Sequence, residues 1–201
     1  MNEEIQQQIK QIKQSFRQMM DGSIAKSMRD KGVDYRLNWG ATILRLREKA
    51  DEMGKNYDLA IALWKENVRE CKILATMTMP PDVILPEVVD IWMEQTETVE
   101  IAEQAAMNLY QYLPYAPMKA YEWIASDKEL YQLCGFHVLS RLFTNGQEPN
   151  ERGINEFLDQ AHVALQSPSV SVRKAALNCL NRFAGLGLVY QRMADNILRR
   201  L

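Results

Sequence analysis

Residues 172–184 read VRKAALNCLNRFA, and this stretch decides the fold because its pattern can be traced three more times upstream. Its apolar side chains follow the spacing i, i+4, i+8 and i+11, which places them on one stripe of an α-helix. They are Val172, Ala176, Leu180 and Phe183. Lys174, Asn178 and Arg182 occupy another face. We interpret the stretch as the inner helix of a helix-pair repeat, packed on one side and presenting a polar, partly basic surface on the other.

The repetition itself is the second signal in the chain. The inner-helix pattern starts at Val68, Val99, Tyr131 and Val172, at steps of 31, 32 and 41 residues. These steps are typical of helical repeats. In this alignment one repeat position holds a small residue in all four inner helices. These residues are Cys71, Ala102, Cys134 and Ala175. Stacked helix pairs of this kind curve into a solenoid whose inner helices line a concave surface.

Helical periodicity also dominates the rest of the chain, so the predicted fold class is all-α. We predict helices at residues 3–20, 58–66, 68–79, 130–143, 151–165 and 170–184, an inner helix running from a Thr98 cap through Tyr112, and Ser23 as the cap of a short second helix. The chain is predicted to be a single helical repeat domain over 1–201, with N-terminal helices at 1–54 and repeats at 58–201.

Composition places the chain in the ordinary soluble globular class, since 47% of its 201 residues are hydrophobic and 25% are charged. The amino terminus, MNEEIQQQIK, lacks the basic and apolar regions of a signal peptide, and the chain has no apolar run of about 18 residues. We therefore expect a cytoplasmic protein without membrane contact.

Cys71, Cys134 and Cys179 are predicted to be buried free thiols. With two histidines and no Cys-x-x-Cys pair, neither a metal site nor another cofactor is expected.

The net charge of −2 hides an uneven distribution. Residues 73–118 contain no Lys or Arg but seven acids, which are Asp82, Glu87, Asp90, Glu94, Glu97, Glu100 and Glu103. The flanking segments together are therefore net basic. This pattern excludes a uniformly basic nucleic-acid surface but allows a basic surface interrupted by an acidic centre.

Val-Arg followed by small and apolar residues on an inner helix is the mark of HEAT-type repeats. Over roughly residues 20–200 the chain resembles the DNA alkylation repair proteins, the HEAT-like alkylpurine DNA glycosylases. The resemblance is carried by Met28–Gly40 (MRDKGVDYRLNWG), by LWKE at 63–66 leading into Val68-Arg69-Glu70, and by VRKA at 172–175. It implies a HEAT-like solenoid that holds duplex DNA across its concave face through the backbone. It also implies removal of cationic alkylated purines.

The resemblance further implies a catalytic Trp and Asp four residues apart on the second inner helix, and another Trp on the fourth. Matching the helices places these at Val99, Glu103 and Asn178, so all three positions depart from the family pattern. Glu103 keeps the carboxylate, but a misplacement of about 1 Å can cost on the order of a hundredfold in rate. Without the indoles, the walls that would hold a cationic base are missing. We therefore expect catalysis to be weak or lost.

Three hypotheses of function follow. The first is a non-specific DNA-binding member of this family that contacts the backbone through Lys26, Arg29, Lys31, Arg36, Arg69, Lys72, Arg173, Lys174, Asn178 and Arg182. The second is an active glycosylase with Glu103 as its catalytic carboxylate, and the third is a scaffold whose acidic centre binds a basic protein partner.

Structural alternatives exist for several of these residues. Glu103 can be a solvated acid or can pair with Lys72, and Arg69 and Arg173 can bond to neighbouring carboxylates or helix ends. His137 lies on an inner helix and can face the groove, although a partly buried His with one hydrogen bond is an alternative. All four tryptophans, at 39, 64, 92 and 123, are expected to be packing anchors, with base-stacking platforms as the alternative, because Trp64, Trp92 and Trp123 each precede an inner helix and recur with the repeat.

Overall fold

The computed structural model describes residues 3–33 and 35–201, and these form α-helices and one 3-10 helix without a β-strand. The all-α prediction is confirmed. The helices are α1 Glu3–Met19, α2 Gly22–Asp30, α3 Ile43–Met53, α4 Tyr57–Lys65, α5 Arg69–Thr78, α6 Pro86–Glu94, α7 Val99–Asn108, the 3-10 helix Tyr110–Tyr112, α8 Ala116–Ile124, α9 Glu129–Thr144, α10 Glu151–Leu165, α11 Val170–Ala184 and α12 Leu188–Leu198. In this described part of the chain, none of the helices is long and apolar enough to cross a membrane.

Side-chain caps fix many of the helix starts. At each of these starts an Asp, Asn, Ser or Thr side chain accepts a hydrogen bond from a backbone N–H of the first turn, which would otherwise lack a partner. The capping residues are Asp21, Thr42, Asn56, Thr98, Asn150 and Ser169. The bounds predicted for α10 and α11 agree with the structure because both helices begin directly after such a cap.

Two predictions about helix ends were wrong. The cap of α2 is Asp21, whose carboxylate accepts from the Ser23 hydroxyl at 2.6 Å and from the Ile24 N–H at 3.1 Å, so Ser23 lies inside the helix. The second inner helix was expected to continue through Tyr112, but α7 ends at Asn108. Leu109 leaves the helical conformation with φ −133° and ψ −60°, and the chain continues as a 3-10 turn.

The chain divides into two compact units, residues 1–94 and residues 95–201. In the first unit, the buried stripe of α1 (Ile5, Ile9, Ile12 and Phe16) packs the helix beside α4. The predicted helix pair α4 and α5 is present, and α3 packs against α5. The rings of Trp64 and Trp92 stack at a centroid distance of 4.2 Å and are both buried, which confirms them as packing anchors.

A buried network holds the connector between α2 and α3 in the first unit. Arg69 is 2% exposed, and its guanidinium donates to the Ala41 carbonyl at 2.9 Å and to Glu70 Oε1 at 3.1 Å. The same Glu70 oxygen accepts from the backbone N–H groups of Trp39 at 3.1 Å and Ala41 at 3.3 Å. Arg69 was predicted to contact DNA. This prediction is corrected, because the side chain lies in the interior and bonds to the connector.

In the second unit α9 is the central helix and packs against α7, α8 and α11. The Cys134 thiol lies 3.7 Å from the Ala102 carbonyl, so two of the small residues aligned in the repeat meet between the neighbouring helices α7 and α9. Phe157 is fully buried, with its ring centroid 5.1 Å from that of Phe143 and 4.9 Å from that of Phe183. These rings join α9, α10 and α11 into one core.

Candidate nucleic-acid interface

A polar groove lies between the inner helices α7, α9 and α11 of the second unit. Its cavity volume is about 350 Å³. The lining residues are Glu103, Gln104, Ala106 and Met107 of α7, His137, Ser140, Arg141 and Thr144 of α9, and Asn178 and Arg182 of α11. The structure therefore brings together three of the predicted residues, Glu103, Asn178 and Arg182.

The partner of Glu103 in this groove is His137. The Nε2 atom of His137 lies 3.5 Å from Oε1 of Glu103, and the two side chains are 27% and 45% exposed. His137 therefore faces the groove, and its imidazole is within charge-pairing distance of the carboxylate. A carboxylate this exposed is screened by water and acts on a nearby charge more weakly than a buried one.

Two guanidinium groups supply the positive charge of the polar groove. Arg141 and Arg182 are both exposed and line the cavity from adjacent helices. Arg141 lies one turn after His137, and Arg182 lies one turn after Asn178, so each pair shares one helix face. A guanidinium can donate to two oxygens of a phosphate, and the Asn178 amide adds a further donor.

None of the described residues that line the polar groove is Phe, Tyr or Trp. A base that enters it meets amide, hydroxyl, guanidinium and imidazole groups, the Glu103 carboxylate and the apolar side chains of Ala106 and Met107, but no indole or phenyl face. The guanidinium and amide donors suit phosphate oxygens, whereas the described lining residues offer no aromatic ring on which a flipped base could stack. The arrangement can bind a phosphate chain without reading its sequence.

The other two residues predicted on α11 do not line this groove. Lys174 is exposed one turn before Asn178, on the same helix face. The Arg173 guanidinium donates to the carbonyl oxygens of Ser167 and Pro168, at the turn between α10 and α11. Arg173 therefore ties down a helix end, which was the structural alternative to its predicted contact with DNA.

The remaining predicted cations belong to the first unit. Lys26, Arg29, Lys31 and Arg36 are all exposed, on α2 and in the segment after it. Asp34, within the Met28–Gly40 segment, lies outside the described residues. The Lys72 ammonium lies 4.4 Å from the centroid of the Trp64 ring, a cation–π contact over the packed helices.

Arg141 was not among the residues predicted from the sequence, although the repeat register contained it. The step of 41 residues between the third and fourth inner helices places Arg141 opposite Arg182 and His137 opposite Asn178. This register match is not evident from the sequence because α9 carries apolar residues on most of its circumference, where it packs against three neighbouring helices. A helix packed on several sides has no single apolar stripe from which its polar face can be deduced.

Comparison with known proteins adds two findings. Residues 12–185 match the family model of the DNA alkylation repair enzymes. The fold is similar to a solved structure described as belonging to a new family of proteins related to the HEAT-like repeat DNA glycosylases with affinity for branched DNA structures. The two share 19% sequence identity with a TM-score of 0.84, over 94% of this chain and 81% of the other. No curated protein matches the sequence.

Proposed function

The chain belongs to the DNA alkylation repair enzyme family, and on this premise we propose that it binds DNA non-specifically through the backbone in the polar groove, with glycosylase catalysis weak or lost. The observation that carries the proposal is the convergence of Arg141, Arg182 and Asn178 on one cavity. Contacts to phosphate position DNA but carry no sequence information.

Weak catalysis follows from the surroundings of Glu103. A carboxylate about 4 Å from an oxocarbenium-like centre contributes roughly 4 kcal/mol at an effective dielectric of 20, but only about 1 kcal/mol in water. The Glu103 side chain is 45% exposed and lies 3.5 Å from His137, so the lower figure applies. That amounts to roughly fivefold in rate. No indole closes the groove against water.

The test of binding is fluorescence anisotropy with labelled DNA, using the full chain over a range of salt concentrations. The similar solved structure belongs to a family with affinity for branched DNA, so a four-way junction is measured beside a plain duplex of the same length. We expect Arg141→Ala and Arg182→Ala each to weaken binding by roughly tenfold. Each should also lower the slope of log K against log salt by about 0.9, one counterion per lost phosphate contact.

The matched control is Arg152→Ala, which removes an exposed cation of α10 that does not line the polar groove. Its affinity should equal that of the wild type. Binding that is independent of salt, or unchanged in both groove variants, would contradict the proposal. Absence of DNA binding together with capture of a basic protein would favour a scaffold built on the acidic segment 73–118.

A second candidate function is an active glycosylase, because the Glu103 carboxylate does line the polar groove. Release of 3-methyladenine and 7-methylguanine from methylated DNA distinguishes it from the first. We expect the wild type to exceed spontaneous release by no more than about fivefold. Faster release that disappears in Glu103→Gln would instead identify Glu103 as the catalytic carboxylate.

A further inference from the structure

Trp39 differs from the other three tryptophans of the chain. Trp64, Trp92 and Trp123 are 2%, 2% and 1% exposed, as expected for packing anchors. Trp39 is only half-buried, and it lines a cavity of about 390 Å³ between α1 and the connector that follows α2. The cavity lies entirely within the first unit. Its volume falls in the range of small-molecule sites.

The backbone holds Trp39 from both sides. Its N–H donates to the buried Glu70 carboxylate at 3.1 Å, and its carbonyl accepts from the Asp21 N–H at 3.0 Å. Gly40 follows with φ +71°, and a Cβ at that position would lie 2.0 Å from the Asp21 carbonyl oxygen. The indole is therefore presented by a fixed segment, and little conformational entropy is lost when a ligand packs against it.

The wall of the cavity opposite Trp39 is basic. Lys10, Lys13 and Arg17 follow the spacing i, i+3 and i+7 along α1, so they share one helix face. The ammonium of Lys13 lies 2.8 Å from Glu66, and this hydrogen bond raises the lysine pKa, so its charge is retained. Lys10 and Arg17 are exposed and lie about 10 Å apart along the helix axis.

The remaining lining residues are Gln6, Ile9 and Gln14, so no described residue that lines the cavity is acidic. Cations beside an aromatic ring form the combination by which proteins hold single-stranded nucleic acid, with bases stacked on the ring and phosphates on the cations. The glutamine amides can both donate to and accept from a base edge.

We propose that this cavity binds an unpaired nucleotide of DNA, with its base against the Trp39 indole and its flanking phosphates on Lys10 and Arg17. The inference rests on the proposed DNA-binding function and extends it to single-stranded segments. A base within an intact duplex is stacked on its neighbours and does not reach the indole. The cavity therefore discriminates DNA with a flap or an open junction from continuous duplex.

The experiment measures binding of a single-stranded oligothymidylate, a flapped duplex and an intact duplex to the full chain, with quenching of tryptophan fluorescence as a second readout. Trp39→Leu should lose about 5- to 150-fold in affinity for the single strand and the flap. Trp39→Phe retains a ring and should keep most of the affinity while losing the quenching. Its folding is not at risk from a lost hydrogen bond, because Trp39 Nε1 has no partner among the described residues.

The charge variant Lys10→Gln/Arg17→Gln tests the phosphate contacts at exposed positions and should weaken single-strand binding and its salt dependence. Arg47→Gln, an exposed cation of α3 outside the cavity, is the control and should bind as the wild type does. Thermal unfolding confirms that each variant is folded.

The outcomes separate this inference from the proposed function. Unchanged single-strand affinity in both Trp39→Leu and the charge variant overturns the nucleotide site, whatever the groove variants do to duplex binding. Equal competition by an acidic peptide also overturns it, because the site would then recognise negative charge without a base. If duplex binding proves insensitive to Arg141→Ala and Arg182→Ala while the Trp39 effects persist, the groove proposal fails and the nucleotide site stands.

Discussion

Arg69 and Arg173 occupy equivalent positions in their repeats, and both bond to backbone carbonyl oxygens of the chain. From the sequence, a cation near the start of an inner helix is equally compatible with a phosphate contact and with a structural bond. The degree to which the side chain is buried distinguishes the two roles. Whether a connector covers such a cation depends on tertiary packing that no local pattern contains.

Removal of the Arg69 guanidinium should destabilise the folded chain. Arg69→Met leaves the Glu70 carboxylate, which is 0% exposed, buried without its ion-pair partner. Breaking a buried pair from one side typically costs about 3–5 kcal/mol. Urea unfolding followed by circular dichroism measures the change. Lys174→Met, at an exposed position of α11, is the control and should change stability by less than about 0.5 kcal/mol. Equal stability of the two variants would refute a structural role for Arg69.

The candidate residues were found from sequence to different extents. Glu103 was identified because the family resemblance places a catalytic carboxylate at its position, whereas Asn178 and Arg182 were also marked by the polar face of an amphipathic inner helix. Arg141 was missed, because α9 is packed on several sides. The partial exposure of Trp39 could not be predicted either, since it results from Glu70 and Asp21 holding an irregular connector.

The sequence patterns predicted the central turns of the helices well. They predicted the first residue of a helix accurately only where a capping residue precedes it. Asn150 and Ser169 cap α10 and α11, and both helices begin where predicted. The apolar spacing of α7 continues through Leu109 and Leu113 although the helix stops at Asn108. Both leucines are buried, so hydrophobic spacing persists across the 3-10 turn and hides the break.

The helices of the second unit share the core around Phe157, and this predicts a large effect of its truncation. Phe157→Ala should lower the free energy of unfolding by about 3–5 kcal/mol. The substitution leaves a cavity among three further phenylalanine rings, and these rings can fill it only in part. Val163→Ala on the same helix, at a side chain that is 62% exposed, should change it by less than about 0.5 kcal/mol. Denaturant titration of the two variants measures this difference. Comparable unfolding midpoints for the two variants would contradict the placement of Phe157 in the core.

For the whole molecule, the three buried cysteines give one measurable expectation, because they are distributed over both units. Burial raises the pKa of Cys71 to about 12 and also raises those of Cys134 and Cys179. At neutral pH the native chain should resist a thiol-specific disulfide reagent, and in denaturant three thiols should react. Separate labelling rates for Cys71 and for the other two would show that the units open independently. Rapid labelling of the native chain would contradict the burial.

The same thiols set the direction of a pH effect on stability. An unfolded chain releases the cysteine protons near pH 8.5, whereas the folded chain retains them to higher pH. As pH rises between about 8.5 and 12, the unfolded state binds fewer protons than the folded state, so stability falls. Cys71→Ser, Cys134→Ser and Cys179→Ser titrated in parallel would assign the effect to individual thiols.

The contact of Gly40 with the Asp21 carbonyl has a consequence for how this sequence tolerates change. In a saturation library screened only for foldedness, position 40 should return glycine alone, since any side chain there collides with main chain. Position 39 should accept other bulky apolar residues under that screen. In a second screen, cells that carry the library must survive DNA damage. If tryptophan is required at position 39 only in this second screen, folding fixes residue 40 whereas ligand binding fixes residue 39.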